Sequence, residues 1–181
     1  MKVGVVSDTH KNLHNLRRAV RALMHEEVSL IIHLGDDYEA TEVLDEFNIG
    51  SVIKVPGVYD PEYADRKIPH RSIETLSGWR VMVSHTPVSH SNDFPEDLTP
   101  EDVCARKEID VLLYGHTHTP DVSERDGILH FNPGHLKPED KKGHPPTFGI
   151  LELTPDLVDA RIFDLERQEE ILHGQLERPK V

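Results

Sequence analysis

The start of the chain constrains the fold most, because short apolar runs alternate there with segments of helical spacing. Residues 2–7 (KVGVVS), 29–34 (SLIIHL) and 51–55 (SVIKV) are almost continuously apolar, as strands buried on both faces must be. Between the first two, Leu13, Leu16, Val20, Leu23 and Met24 recur on one helical face, and Asn12 is placed to cap it. Residues 39–47 read as a second helix. A β-α-β-α-β order predicts a parallel or mixed sheet with right-handed crossovers.

Beyond residue 65 the pattern turns to hairpins. Residues 71–76 and 79–84 flank Ser77-Gly78, and residues 121–125 and 128–131 flank Asp126-Gly127; both dipeptides suit two-residue turns. Residues 147–153 and 157–163 flank Pro155-Asp156 as a third pair. A helix is expected over 100–107, opened by Thr99 and Pro100, and a buried strand over 109–114, stopped by Gly115. The sum is an α/β sandwich in one domain over residues 1–163, its second half rich in strands. Residues 164–181 are polar and weakly periodic and are expected to form a loosely docked tail.

A length of 181 residues suits a single well-formed core. No apolar run approaches the ~20 residues needed to cross a bilayer, and Asp8 comes too soon for a secretory signal. Cys104 has no partner for an intrachain disulfide, which fits a cytoplasmic protein. The net charge of −13 without a Lys/Arg cluster argues against gripping a nucleic-acid backbone, which needs a basic surface. A small anionic substrate remains compatible if bound cations dominate the local field. Exposed hairpin edges leave room for a homodimer.

The chemistry-bearing side chains gather at strand ends. Asp8 and His10 follow the first strand, Asp36 the second, His85 the fifth, and His116 and His118 the strand at 109–114. Sites in open α/β sheets form beyond the carboxyl ends of strands, so these loops are expected to share one rim. Two-residue spacing in an extended segment puts both side chains on one side, making clamps of Asp8/His10 and His116/His118. Singly, each has an ordinary explanation: Asp8 and Gly35-Asp36 as turn residues, His85 as a satisfied buried imidazole. Their joint placement is what points to a metal centre. Mixed carboxylate and imidazole donors suit manganese, zinc, iron or nickel and argue against calcium. The remaining histidines considered, His14, His25, His33, His70, His90, His130 and His173, read as surface or core residues.

Asp-x-His at 8–10, Gly-Asp at 35–36, Pro-Gly-Val-Tyr-Asp at 56–60, Ser-His at 84–85 and Gly-His-Thr-His at 115–118 together resemble the calcineurin-like metallophosphoesterases. The short length and the GHTHTP and NPG segments resemble the small phosphodiesterase branch of bacteria and archaea, which also contains the retromer subunit Vps29. The resemblance covers about residues 1–163. It implies a β-sandwich of two mixed sheets flanked by helices. It also implies one cation held by Asp8, His10, Asp36 and His118, and a second by Asp36, His85 and His116, with Asp36 bridging. Such a pair, most simply manganese, with nickel, zinc or iron as alternatives, activates water for in-line attack on a small-molecule phosphodiester. Asp36, His85 and His116 are the residues it places nearest that chemistry.

Three positions depart from the family pattern. Val58 stands where an Asn normally ligates the second cation, leaving three protein donors and an expectation of weaker occupancy; Asp37, Asp60 or water are candidates to complete the shell. Tyr59 replaces a residue that in larger members protonates the leaving group, a role worth roughly 10²–10⁴ in rate. His135 follows Asn132-Pro133-Gly134 where Ser is common, and is either a substitute acid, a phosphate contact or a surface imidazole. The loss at Val58 also permits a second reading, a Vps29-like non-catalytic interaction module. Substrate choice is expected to rest on loops 57–66, 86–99 and 133–146.

Overall fold

The computed structural model describes residues 1–47 and 49–178, apart from the side chains of residues 40–42. The opening alternation folds as read. Strands β1 (Lys2–Val6) and β2 (Leu30–His33) are parallel, with Val5 opposite Ile32, and β3 (Val52–Lys54) extends the ladder in parallel. Helix α1 (Leu13–His25) crosses between β1 and β2, its first turn capped by Asn12, whose Oδ1 accepts the Asn15 N–H at 3.2 Å. The helix buries Leu16, Ala19, Val20 and Leu23 against the sheet. Each such large apolar side chain removed from water stabilises the fold by ~1.5–3 kcal/mol. The second helix is shorter than expected: a 3₁₀ turn at Tyr38–Thr41 leads into a single turn, α2 (Glu42–Asp45). Val43 and Leu44 are its buried apolar anchors, too short a stripe to propagate a longer helix.

The second half supplies β4 (Arg71–Leu76), β5 (Trp79–Ser84), α3 (Pro100–Ala105), β6 (Val111–Leu113), β7 (Asp121–Arg125), β8 (Ile128–Asn132), β9 (Thr147–Leu153) and β10 (Leu157–Asp164). Both two-residue turns take the positive-φ geometry that matches strand twist, with Ser77 at +49°, Gly78 at +85°, Asp126 at +53° and Gly127 at +79°. The tail departs from expectation. Residues 170–177 form β11 (Glu170–Glu177), antiparallel to β10 along its length. Leu176 is its one buried apolar side chain and the rest is solvent-facing, so main-chain bonds rather than a hydrophobic stripe hold this edge. Arg178 then lies 4.3 Å from the Trp79 ring and donates to the Gly78 carbonyl at 3.0 Å. The last three residues of the expected tail lie outside the described residues.

Two mixed sheets result, ordered β11-β10-β9-β1-β2-β3 and β4-β5-β6-β8-β7. They face each other across a core that includes Val3, Val5, Ile32, Val81, Val83, Leu113, Phe131 and Leu151. Helices α1 and α2 cover the outer face of the first sheet, and α3 covers the second through Val103 against Met82 and Leu112. Among the described residues no helix is long and apolar enough to cross a membrane. The parallel strands β1, β2, β5 and β6 deliver the loops at 7–10, 34–37, 84–86 and 114–118 to one rim. Main-chain bonds join those loops: Asp8 N–H to Gly35 O at 2.9 Å, Thr9 N–H to Asp36 O at 3.1 Å, and Gly115 N–H to His85 O at 2.9 Å.

Candidate metal centre

The loops at this rim are strained where the chemistry lies. Asp8 (φ +52°), His10 (+47°), Asp36 (+57°), His116 (+62°) and His118 (+58°) all occupy the left-handed region. A non-glycine residue pays of order 1–3 kcal/mol to sit in so sparsely populated a conformation, and such residues cluster at functional sites. This backbone is not the extended one expected of the two clamps, although Asp8 and His10 still converge. The segments are turns, and the two histidines of 116–118 face different partners.

His118 joins the first group. Its Nε2 lies 3.1 Å from Asp8 Oδ1 and 3.0 Å from His10 Nε2, while His10 Nε2 lies 3.4 Å from Asp36 Oδ2. Donor atoms of Asp8, His10, Asp36 and His118 all fall within 4.8 Å of one another. Two ligands each ~2.1 Å from one ion and roughly at right angles stand about 3 Å apart, the spacing found here. Asp8 supplies a second observation. Its Oδ2 is anchored by the Ser7 hydroxyl and by the His116 N–H at 3.0 Å, whereas Oδ1 is buried and accepts no hydrogen bond. A buried carboxylate oxygen without a donor is costly unless a cation takes that place. The residues therefore fit a divalent cation.

His116 belongs to the other side of Asp36. Its Nδ1 is 3.1 Å from His85 Nε2, and His85 Nε2 is 3.5 Å from Asp36 Oδ1. His85 Nδ1 donates to the Leu34 carbonyl at 2.7 Å, which in the neutral ring leaves Nε2 bare. Asp36 thus turns one oxygen to His10 and the other to His85. Gly57 makes its position possible: a Cβ there would lie 2.0 Å from Asp36 Oδ1. Gly115 does the same for Asp8, with a Cβ meeting Ser7 Oγ at 2.0 Å and Asp8 Oδ2 at 2.6 Å.

The charges are set against each other. Burial, with the Asp8 and Asp60 carboxylates, pushes the Asp36 carboxyl up to about 6, although His85 opposes the rise. Asp8 goes the other way; burial would raise it, but the adjacent His118 and His85 imidazoles hold it low. Burial lowers His10 and His116, and the Asp8 carboxylate beside it raises His118. Two adjoining buried carboxylates with converging imidazoles form an electrostatic trap for a cation.

The departures from the family pattern resolve individually. Val58 is 2% exposed and offers no donor atom; its carbonyl accepts from Asn92 Nδ2 at 3.0 Å. Asp60 is committed elsewhere: its carboxylate accepts the N–H groups of Asp37 at 3.0 Å, Tyr38 at 3.2 Å and Gly57 at 2.7 Å. Asp37 accepts the Lys11 N–H at 2.9 Å. His135 is fully buried, not a surface imidazole, and both ring nitrogens are engaged, with the His144 carbonyl at 3.1 Å and the Lys137 N–H at 3.1 Å. Tyr59 is 74% exposed and stands between two cavities. One, of about 280 Å³, is lined by His10, Lys11, Asp36, Asp37 and Asp60; the other, of about 450 Å³, by Val58, Tyr63, Ala64, Asn92 and Phe94.

Three residues outside the expected ligand set border the site. His90, set aside as surface or core, comes within 6.0 Å of the His116 ring and 6.1 Å of the Tyr59 ring, measured between centroids. His33 is buried behind the first group, with Nε2 2.9 Å from Thr9 Oγ1 and Nδ1 accepting the Gly35 N–H at 3.2 Å; burial lowers it to about 4. Asp140 lies within hydrogen-bond reach of His118. His90 and Asp140 sit in loops far from the motifs they approach, and no local pattern announces that approach.

Among the described residues a further His/Asp group, His70, Asp93 and Asp97, lies within the same 4.8 Å limit. His70 has Nδ1 2.7 Å from Asp97 Oδ2 and Nε2 2.7 Å from the Tyr63 carbonyl. Asp93 accepts from Arg71 at 2.8 Å, from the His90 N–H at 2.8 Å and from the Tyr63 hydroxyl. This group ties the loop carrying His90 and Asn92 to β4.

A family model described as the calcineurin-like phosphoesterase superfamily domain matches residues 1–156. Phosphodiesterase YfcE of Escherichia coli is 29% identical over 169 residues, covering 84% of this chain and 88% of that protein. Its solved structure superposes with a TM-score of 0.69 at 26% identity, over 96% of this chain and 98% of that one. Phosphodiesterase MJ0936 of Methanocaldococcus jannaschii is 30% identical over 160 residues, covering 84% and 93%. Vps29 of Chaetomium thermophilum superposes with a TM-score of 0.75 over 99% of this chain and 100% of that one; at 17% identity this likeness shows the fold alone.

Proposed function

The chain belongs to the calcineurin-like phosphoesterase superfamily, and from that membership we infer that it is a metal-dependent phosphodiesterase acting on small-molecule phosphodiesters. The observation that carries the reading is Asp36, with one oxygen toward His10 and the other toward His85. We assign Asp8, His10, Asp36 and His118 to a first divalent cation, and Asp36, His85 and His116 to a second. When bound, the cations activate water and neutralise charge developing on the phosphoryl oxygens. Manganese is our first assignment, with nickel, zinc and iron as alternatives for this oxygen and nitrogen donor set.

The chain's own residues do the positioning. The Leu34 carbonyl orients His85, the Ser7 hydroxyl and His116 N–H fix Asp8, and Gly57 and Gly115 let the loops close around the carboxylates. The first set has four donors; the second has three, because Val58 contributes none. We therefore expect the second cation to bind more weakly. Neither Tyr59, exposed to solvent, nor His135, with both nitrogens engaged, is set up to protonate a leaving group. Aryl phosphodiesters, whose leaving groups need no proton, should turn over best.

Val58 is also the observation that favours a non-catalytic interaction module. Against it stands the retained strain at five of the six assigned ligands, which a chain without a metal has no reason to keep. The test is hydrolysis of a bis-aryl phosphodiester by metal-stripped protein on titration with Mn²⁺, Ni²⁺ or Zn²⁺. Metal-dependent turnover that disappears in Asp36→Ala supports the reading. A folded, cation-loaded protein without turnover leaves the interaction module.

A further inference from the structure

His118 is held from behind. With φ at +58° its backbone is strained, so the direction of its ring depends on side-chain contacts. On the ring edge opposite Nε2, Nδ1 lies 3.1 Å from Asp140 Oδ1, a carboxylate only 5% exposed. Asp140 arrives from 22 residues further along the chain, in the loop after β8. That loop is tied in place. Asp140 Oδ2 accepts the Lys142 N–H at 3.1 Å, the Gly143 N–H donates to the Asp140 carbonyl at 3.0 Å, and Lys142 Nζ donates to the carbonyl of Thr117, next to His118. The buried His135 ring lies 5.4 Å from the His118 ring and covers another flank.

An ionised carboxylate only accepts, so this contact favours a ring proton on Nδ1, while Asp8 Oδ1 competes for one on Nε2 until a cation takes that place. In the neutral ring Nε2 is then a bare lone pair, and Nε2 is the atom 3.1 Å from Asp8 Oδ1 and 3.0 Å from His10 Nε2. We propose that Asp140 is a positioning residue for the first cation: by taking the Nδ1 proton it selects the tautomer and the ring orientation in which His118 can ligate. This rests on the reading of Asp8, His10, Asp36 and His118 as that cation's ligands. Ligating histidines commonly depend on such a second partner, whose loss weakens metal binding by roughly 10–100-fold.

The experiment compares wild type, Asp140→Ala and Asp140→Asn by two readouts. Imidazole ¹⁵N NMR of the metal-free proteins reads the His118 tautomer, and calorimetry with Mn²⁺ alone reads affinity. At a pH where the ring is neutral, wild type should carry its one proton on Nδ1. Asp140→Ala should shift it toward Nε2 and weaken Mn²⁺ binding roughly 10–100-fold, with circular dichroism and thermal unfolding in EDTA unchanged. Asp140→Asn, whose amide oxygen still accepts, should keep the wild-type tautomer and recover most of the affinity. An unchanged tautomer in Asp140→Ala, or affinity within twofold of wild type, overturns the proposal. If wild type takes up no Mn²⁺, the metal assignment fails, while the tautomer comparison still decides whether Asp140 controls His118. If Asp140→Ala does not fold, Asp140→Asn decides: the wild-type tautomer with affinity within tenfold supports the proposal, and loss of either overturns it.

Discussion

The group of Asp8, His10, Asp36 and His118 and the group of His70, Asp93 and Asp97 use the same two residue types at similar spacing. They differ in what satisfies them. In the second group Arg71, Tyr63 and main-chain N–H groups take up the carboxylates, and both His70 nitrogens face oxygen acceptors. A guanidinium already supplies the positive charge there. In the first group Asp8 Oδ1 is buried without a donor, two imidazole nitrogens meet at 3.0 Å, and the backbone is left-handed at Asp8, His10, Asp36 and His118. Composition therefore does not separate a candidate metal site from a structural cross-link; unsatisfied ligand atoms and local strain set the two groups apart.

The largest break in that comparison comes from paired substitutions. Asp36→Ala should reduce metal-dependent diesterase turnover by at least ~10³, a loss typical of removing a group the chemistry depends on, yet leave the metal-free fold standing. Asp97→Ala should do the reverse. It leaves His70 buried beside a lost partner and should cost about 3 kcal/mol in urea unfolding, as breaking a buried pair does, with Mn²⁺ affinity unchanged. Equal effects of the two on Mn²⁺ binding would erase the distinction.

Gly57→Ala is a finer probe, because it adds only a methyl group. That Cβ would sit 2.0 Å from Asp36 Oδ1 and 2.5 Å from its backbone N, so both the carboxylate and the main chain at Asp36 must move. Turnover should fall ~10²-fold, as for a reacting group misplaced by about 1 Å, with a fold penalty of ~1–3 kcal/mol from overpacking. Turnover near wild type would show that Asp36 need not stand between the two donor sets.

His33 braces the first group through Thr9 and links its stability to pH. Above about 6.5 the imidazole is neutral folded or unfolded, and this residue adds no pH dependence. Below that, the unfolded chain binds a proton that folded His33 refuses until about 4. Stability should therefore fall as pH drops through that window, by up to about 3 kcal/mol from this group. Urea unfolding at pH 7 and pH 4.5 reads it, and His33→Gln should flatten that part of the slope. The smallest effect expected is on strain. His116→Asn places a residue tolerant of left-handed φ at +62° and should raise metal-free stability by up to ~1 kcal/mol, read as a higher Tm in EDTA.

Much of this architecture was legible in the chain. β1, β2 and α1 announce themselves by unbroken apolar runs and helical spacing, and Ser77-Gly78 and Asp126-Gly127 mark turns that form where read. β11 was not legible, because an exposed edge strand with one buried apolar side chain carries no alternation to detect. The six assigned ligands were visible because each follows a strand within short motifs. Asp8 and His10 do join one group, but the His116/His118 clamp was misread, since nothing in the residue pattern reports the positive φ at those two positions. His90 and Asp140 stayed hidden because long loops bring them to the rim, and the loop holding Asp140 has the composition of ordinary solvent-facing chain.

The central claim is that unsatisfied donors around Asp36 hold two cations of unequal affinity, and metal titration tests it most directly. Calorimetry of Mn²⁺ into metal-free protein should show two sites per chain, one tight and one weaker. His118→Ala should abolish the tight one, His116→Ala the weaker one, and Asp97→Ala neither. Binding that survives both histidine substitutions, or that is lost in Asp97→Ala with the fold intact, would contradict the account.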